Sequence, residues 1–206
     1  MTDYFVLLNE PRRPWIDSDA LKARFLVLTA EAHPDRVHNA LPAGKKSAHE
    51  RYTELNTAYL CLREPRESLR HLLELERGTK LEDIKHIPPG TMDMFMEVSV
   101  ACREADSLLT EKNKTTSPLL KVKLFEKAMA LTEQLDALSQ KLTTKRAALI
   151  GQMKILNMAW ESAPPVGSPA RRNVLPCNRL EHIYREFSFL SRWVQQIQER
   201  VVQLSY

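Results

Sequence analysis

Apolar side chains recur along this chain at steps of three and four, the spacing of one face of an α-helix, and nowhere alternate strongly enough to predict a strand. Leu21, Phe25, Leu28 and Ala32 make one such stripe, and Ala48, Tyr52, Leu55, Tyr59 and Leu62 make the next. A short helix over about 3–8 precedes them, with Thr2 or Asp3 to cap it, and Pro11 and Pro14 break the chain after it. The second helix starts after Asp17-Ser18-Asp19, where oxygen acceptors and negative charge suit the first turn. It ends near His33, because Pro34 disfavours helical geometry in the residue before it. Residues 36–44 read as a loop containing Asn39, Pro42 and Gly44, and a third helix is predicted over 45–63. Two amphipathic helices joined by one exposed loop pack most simply as an antiparallel hairpin. A fourth helix, 65–77, begins on Pro65 at the favoured first position and carries Leu69, Leu72, Leu73 and Leu75.

Residues 79–91, with Pro88-Pro89-Gly90, read as a linker. Beyond it the helices lengthen. One is predicted over 92–112, followed by a polar break that ends in Ser117-Pro118, a helix-start signal. The run 119–161 keeps a seam of Ala128, Leu131, Leu135, Leu138, Leu142, Leu149, Met153, Leu156 and Trp160. Thr143-Thr144 or Gly151 leaves open whether this is one helix or two. Residues 162–176 are rich in Pro, Gly and Arg and read as a loop, with Arg171-Arg172 taken as exposed charge. The last helix, 178–204, has a regular stripe of Leu180, Ile183, Phe187, Leu190, Val194, Ile197, Val201 and Leu204, suited to shallow-angle packing against other long helices. The fold class expected is all-α: a helical hairpin with flanking helices over 1–78, a linker over 79–91, and a bundle of long helices over 92–206.

Composition supports this. Only 5 of 206 residues are glycine, too few for many tight turns, while 43% are hydrophobic, enough for a core. The formal charge is +4, and residues 1–78 balance 12 basic against 12 acidic side chains, so the remainder carries the excess. Basic residues are interleaved with acids, which reads as solvated helix faces and argues against a nucleic-acid partner. Cys61, Cys102 and Cys177 are far apart in sequence, which indicates isolated thiols in a reducing compartment and no metal or cofactor. No basic leader or membrane-spanning run is read from the sequence, and a cytoplasmic location with no membrane partner is expected.

The tripeptide His33-Pro34-Asp35 lies between the two amphipathic stripes. By itself it reads as a helix cap and turn. A hydrolytic His/Asp site would need a placed nucleophile or metal cluster, which the sequence lacks, so the chain is not expected to be an enzyme. Its context is more informative: Asp3-Tyr4-Phe5 opens the chain, LKARFLVLTAEAHPDRV spans 21–37, Leu55-Asn56-Thr57-Ala58-Tyr59 is followed by Leu62-Arg63-Glu64-Pro65, and Arg70-His71-Leu72-Leu73-Glu74-Leu75 closes the region. These residues resemble the J-domain family, and within it the HscB-type co-chaperones of iron–sulfur cluster assembly. The resemblance is good over 1–78; beyond, Phe95-Met96-Glu97 and the long-helix layout are similar to the family's C-terminal domain.

The resemblance implies a co-chaperone that stimulates the ATPase of a DnaK/HscA-type chaperone through His33, Pro34, Asp35 and Arg36, with Lys22 and Arg24 on the preceding helix. It further implies a client face on the first C-terminal helix, at Phe95, Met96, Glu97 and Glu104, for an IscU-type scaffold protein. The sequence departs from the family's pattern in two places. Leu26 and Val27 stand where basic side chains are usual, which predicts weaker electrostatic docking, and Val100 and Arg103 stand where acids are usual. Two alternatives remain: a J-domain protein that recruits a different client, or a structural helical protein with a weakened J-domain.

Overall fold

The computed structural model describes residues 1–32, 42–82, 84 and 86–205, with 42–46 described by backbone alone. Among them are eight helices and no strand: α1 Tyr4–Leu7, α2 Ser18–Glu31, α3 Pro42–Leu62, α4 Pro65–Arg77, α5 Met92–Lys114, α6 Pro118–Glu161, α7 Pro169–Val174 and α8 Cys177–Ser205. The all-α expectation holds. The chain forms two compact units, one of Met1–Glu82 with Gln152–Tyr184, the other of Asp83–Gly151 with Arg185–Tyr206. The units therefore differ from a linear division, because α6 and α8 each contribute to both.

In the first unit, α1 and α2 pack on α3, and α3 packs on α4. The core holds Phe5, Leu8, Leu21, Leu55, Ala58, Leu62, Leu69, Leu72 and Leu73. Asp3 caps α1 by accepting from the Phe5 and Val6 N–H groups, and Asp17 caps α2 by accepting from Ala20 N–H. The Phe25 and Tyr59 rings stack at 4.1 Å between α2 and α3. α4 begins on Pro65 and ends on Gly78, whose left-handed backbone (φ 73°) gives the helix its terminal turn. His71 on α4 accepts from Tyr4 N–H through Nε2 at 3.1 Å and stacks on the Tyr4 ring, tying α1 down.

Two expectations need correction here. Pro42 and Gly44 fall inside α3, not in a loop; a proline at the first helical position loses no intrahelical bond. Arg171, expected as exposed loop charge, lies in α7 and is buried. Its Nε and Nη2 donate to the two oxygens of buried Glu76 at 2.9 and 2.8 Å, and Nη1 donates to Pro164 C=O. The bidentate geometry satisfies a carboxylate that has little water. Asn157 and Trp15 exchange two 2.9 Å hydrogen bonds, pinning the segment between α1 and α2 to the end of α6.

In the second unit, the parts of the α6 seam and α8 stripe that belong to it are buried as the spacing predicts, save Leu138 and Val201. Leu124, Ala128, Leu131, Leu135, Leu142 and Leu149 of α6, with Phe187, Leu190, Trp193, Val194, Ile197 and Leu204 of α8, line its core. Val98, Cys102, Ala105 and Leu108 of α5 complete it. α6 is one helix of 44 residues. Thr144 fits within it because its hydroxyl donates back to Gln140 C=O, one turn earlier.

Candidate functional site

His33, Pro34, Asp35 and Arg36 lie outside the described residues. What is described is the helix that leads to them. Lys22 of α2 is exposed. Arg24 is already engaged: Nη1 donates to Asn9 C=O at 2.5 Å and lies 2.9 Å from Glu10 Oε1. Glu10 has a buried side chain whose other oxygen takes Arg13 at 3.2 Å. Arg24 thus neutralises a buried carboxylate, and Lys22 keeps its whole charge for solvent. Leu26 and Val27 are more than half exposed on the same helix, and Ala23 and Ala30 beside them are exposed as well. The solvent face of α2 is therefore largely apolar, with its positive charge confined to the first half.

The residues expected on the client face all fall on α5, but with different surroundings. Phe95 is half-buried, its ring 6.2 Å from that of Trp193 on α8. Met96 is exposed, and with Met92 and Val100 makes an exposed apolar row at steps of four. Glu97 is bound within the chain, since Lys141 Nζ of α6 donates to both of its oxygens at 2.8 and 2.7 Å. Glu104 is exposed and lines a groove shared with Glu111, Lys127 and Gln134. A second groove is lined by Phe95, Met96, Cys102, Arg103, Trp193 and Arg200, among others. Arg200 forms its polar wall, donating to Asp106 at 2.9 Å and to Cys102 C=O at 3.3 Å. Trp193 is the residue that sequence reading missed. It lies beside the Leu190–Val194 stripe, and its signal is the four-residue spacing from Phe189, whose ring it meets at 5.6 Å.

Thiol chemistry has little support. Burial pushes the Cys61 thiol up to about 11, with Glu67 and Glu74 adding to it, and burial raises Cys102 and Cys177 too. Among the described residues no three His, Cys, Asp or Glu side chains gather to hold a metal ion. No helix among them is long and apolar enough to cross a membrane.

This all-helical architecture is that of the HscB co-chaperones. The chaperone HscB from Vibrio cholerae is similar over 98% of this chain and 99% of its own, at a TM-score of 0.61 and 20% identity. The human co-chaperone protein HscB is similar over 98% of this chain and 81% of its own, at 0.57 and 18%. No protein-family model matches the chain.

Proposed function

We propose that this protein is an HscB-type co-chaperone. It stimulates ATP hydrolysis by a DnaK/HscA-type chaperone through His33-Pro34-Asp35, and presents a client, an iron–sulfur scaffold of the IscU type, on α5. It is itself no enzyme and acts in the cytoplasm. The observation that carries this reading is the coincidence of a fold shared along the whole chain with two HscB co-chaperones and a His-Pro-Asp tripeptide placed between α2 and α3. Asp35 offers a carboxylate for a charge-assisted bond to a cationic group on the chaperone. Arg36 extends the polar surface. Lys22 adds a free positive charge, and Arg24 one shared with Glu10.

The decisive experiment is steady-state ATPase of such a chaperone with the parent chain and with His33→Gln. Stimulation by the parent and its loss in the variant, at unchanged helicity, are expected; equal stimulation by both sinks the reading. On the client side, Met96→Asp weakens capture of the scaffold by the full chain. The exposed Val100 and Arg103, where the family's acids are usual, favour a second reading in which the client is a different protein. Failure of the parent chain to capture the scaffold, with recovery of an unrelated protein in its place, supports that second reading over the first.

A further inference from the structure

The positive charge beyond residue 78 is not evenly dispersed as the interleaving suggested: it gathers in acid-free windows, one of them 141–154 with Lys141, Lys145, Arg146 and Lys154, and another 112–125, between Glu111 and Glu126. Residues 112–125 contain four lysines and no acidic residue, which by itself equals the formal excess of the whole chain. They form the end of α5, the turn after it and the first two turns of α6, all in the second compact unit. Lys112 is held, donating to Leu204 C=O at 3.2 Å, while Lys114, Lys121 and Lys123 are exposed.

The same segment is unusually apolar at its surface. Leu119 is 71% exposed, Leu120 51%, Val122 58% and Phe125 57%. In those turns only Leu124 faces the core. With about 100° of rotation per residue, Phe125, Val122, Leu119 and Leu120 occupy an arc of roughly 220°. Lys123 lies inside that arc and Lys121 just beyond its Phe125 edge.

The geometry limits what can cover such a tip. A groove on a folded partner covers one helix face, an arc of roughly 100°. A second copy of this chain, paired symmetrically, would set lysines against lysines. A nucleic-acid backbone would use the lysines and leave the leucines and phenylalanine with nothing to contact. A fluid anionic lipid surface accommodates all of it: apolar groups enter the acyl boundary while the lysines among and beside them extend their stems back to acidic headgroups. Six residues of helix rise, Leu119 to Phe125, give a depth of about 9 Å, within the roughly 5–10 Å typical of interfacial insertion.

We propose that the start of α6 is a peripheral docking site for an anionic lipid surface, inserted through Leu119, Leu120, Val122 and Phe125 and held by Lys114, Lys121 and Lys123. The lack of a spanning run in the sequence does not bear on such a site, because docking on a surface needs none. The site shares no residue with those proposed for chaperone or client binding, so it stands or falls independently of the co-chaperone reading.

The test is co-sedimentation of the full chain with vesicles of phosphatidylcholine alone and of phosphatidylcholine with about one-third phosphatidylglycerol. Binding to the anionic vesicles alone is expected, weakening as salt rises from about 0.05 to 0.5 M. Leu119→Ser with Leu120→Ser, and separately Lys121→Glu with Lys123→Glu, each weaken partition by at least about tenfold. Lys80→Glu with Arg179→Glu makes the same net charge change at exposed sites elsewhere, and leaves partition within about twofold. Thermal melts establish that all variants are folded. No anionic binding by the parent overturns the proposal and leaves an acidic protein as the occupant. So do retained binding by the leucine pair, equal binding to neutral vesicles, or equal loss in the Lys80 and Arg179 pair.

Discussion

Lys141 on α6 donates to both carboxylate oxygens of Glu97 on α5, and this bond belongs to a longer seam. Glu97, Glu104 and Glu111 recur every seven residues along α5, as Lys127, Gln134 and Lys141 do along α6 in the opposite sense. Glu104, Glu111, Lys127 and Gln134 line one groove between the two helices. An acidic row that resembles a client patch is thus also the polar edge of a helix pair. Both partners of the Glu97 bond are about half exposed, so solvent screens it and its removal costs less than about 1 kcal/mol. Lys141→Met is expected to leave urea stability within that limit. If Glu97 contacts a basic group on the client, the same variant tightens binding several-fold by freeing the carboxylate, read by calorimetry; unchanged or weaker binding places Glu97 in the seam alone.

The Glu76–Arg171 pair behaves differently, because neither side chain has much water around it. Arg171→Ala leaves a buried carboxylate facing Arg12 at 3.9 Å, too far for a good hydrogen bond. A loss of about 3–5 kcal/mol is expected in urea denaturation. Glu76→Leu combined with Arg171→Met removes both charges and recovers most of it, since a well-packed apolar pair replaces a desolvated ionic one. A double variant as unstable as the single one contradicts this account.

His71 links stability to pH. Burial holds its ring below the ordinary imidazole range, against weaker opposing pulls from Asp3 and Glu74. The neutral ring is required, because Nε2 accepts from Tyr4 N–H. Above the unfolded value of 6.5 both states are neutral and the bond contributes fully. As pH falls below that, the unfolded chain takes up its proton first and stability drops, until the folded ring protonates in turn. Urea midpoints should therefore fall between about pH 7.5 and pH 5. His71→Gln, which keeps an acceptor but does not titrate, should flatten that slope.

The helices were legible because burial in this chain is periodic. The α8 stripe from Leu180 to Leu204 is buried at every position except Val201, and the α6 seam at every position except Leu138. Whether residues 119–161 made one helix was not legible, since a threonine's back-donation to a carbonyl leaves no trace in spacing. Arg171 was misread for a related reason: its partner Glu76 is 95 residues away, and sequence proximity says nothing about such pairs. The α5 residues were found by position, but the engagement of Glu97 by Lys141 and of Phe95 by Trp193 depends on which helices become neighbours. The start of α6 is not legible from charge alone, since residues 141–154 carry as many basic residues; what sets it apart is the exposure of Leu119, Leu120, Val122 and Phe125, which spacing does not report.

Leu26 and Val27 make the proposed chaperone contact testable in its mechanism as well as its existence. Both are more than half exposed on α2, and the nearest cation, Arg24, is shared with Glu10. The proposed docking along this face would therefore depend on apolar area with one free charge, Lys22. Long-range attraction between a basic helix and an acidic partner is screened beyond about 8–10 Å at physiological salt. A contact built mainly on apolar area escapes that screening, so ATPase stimulation by the parent should fall no more than about threefold between 0.05 and 0.3 M salt. Leu26→Lys with Val27→Arg restores the charge that the family usually carries, and should steepen the fall to tenfold or more while raising stimulation at low salt. Leu26→Ser with Val27→Ser keeps the charge and removes the area, and should weaken stimulation at every salt concentration alike. A steep salt dependence in the parent, or no effect of the serine pair, would mean that the chaperone docks elsewhere on the chain.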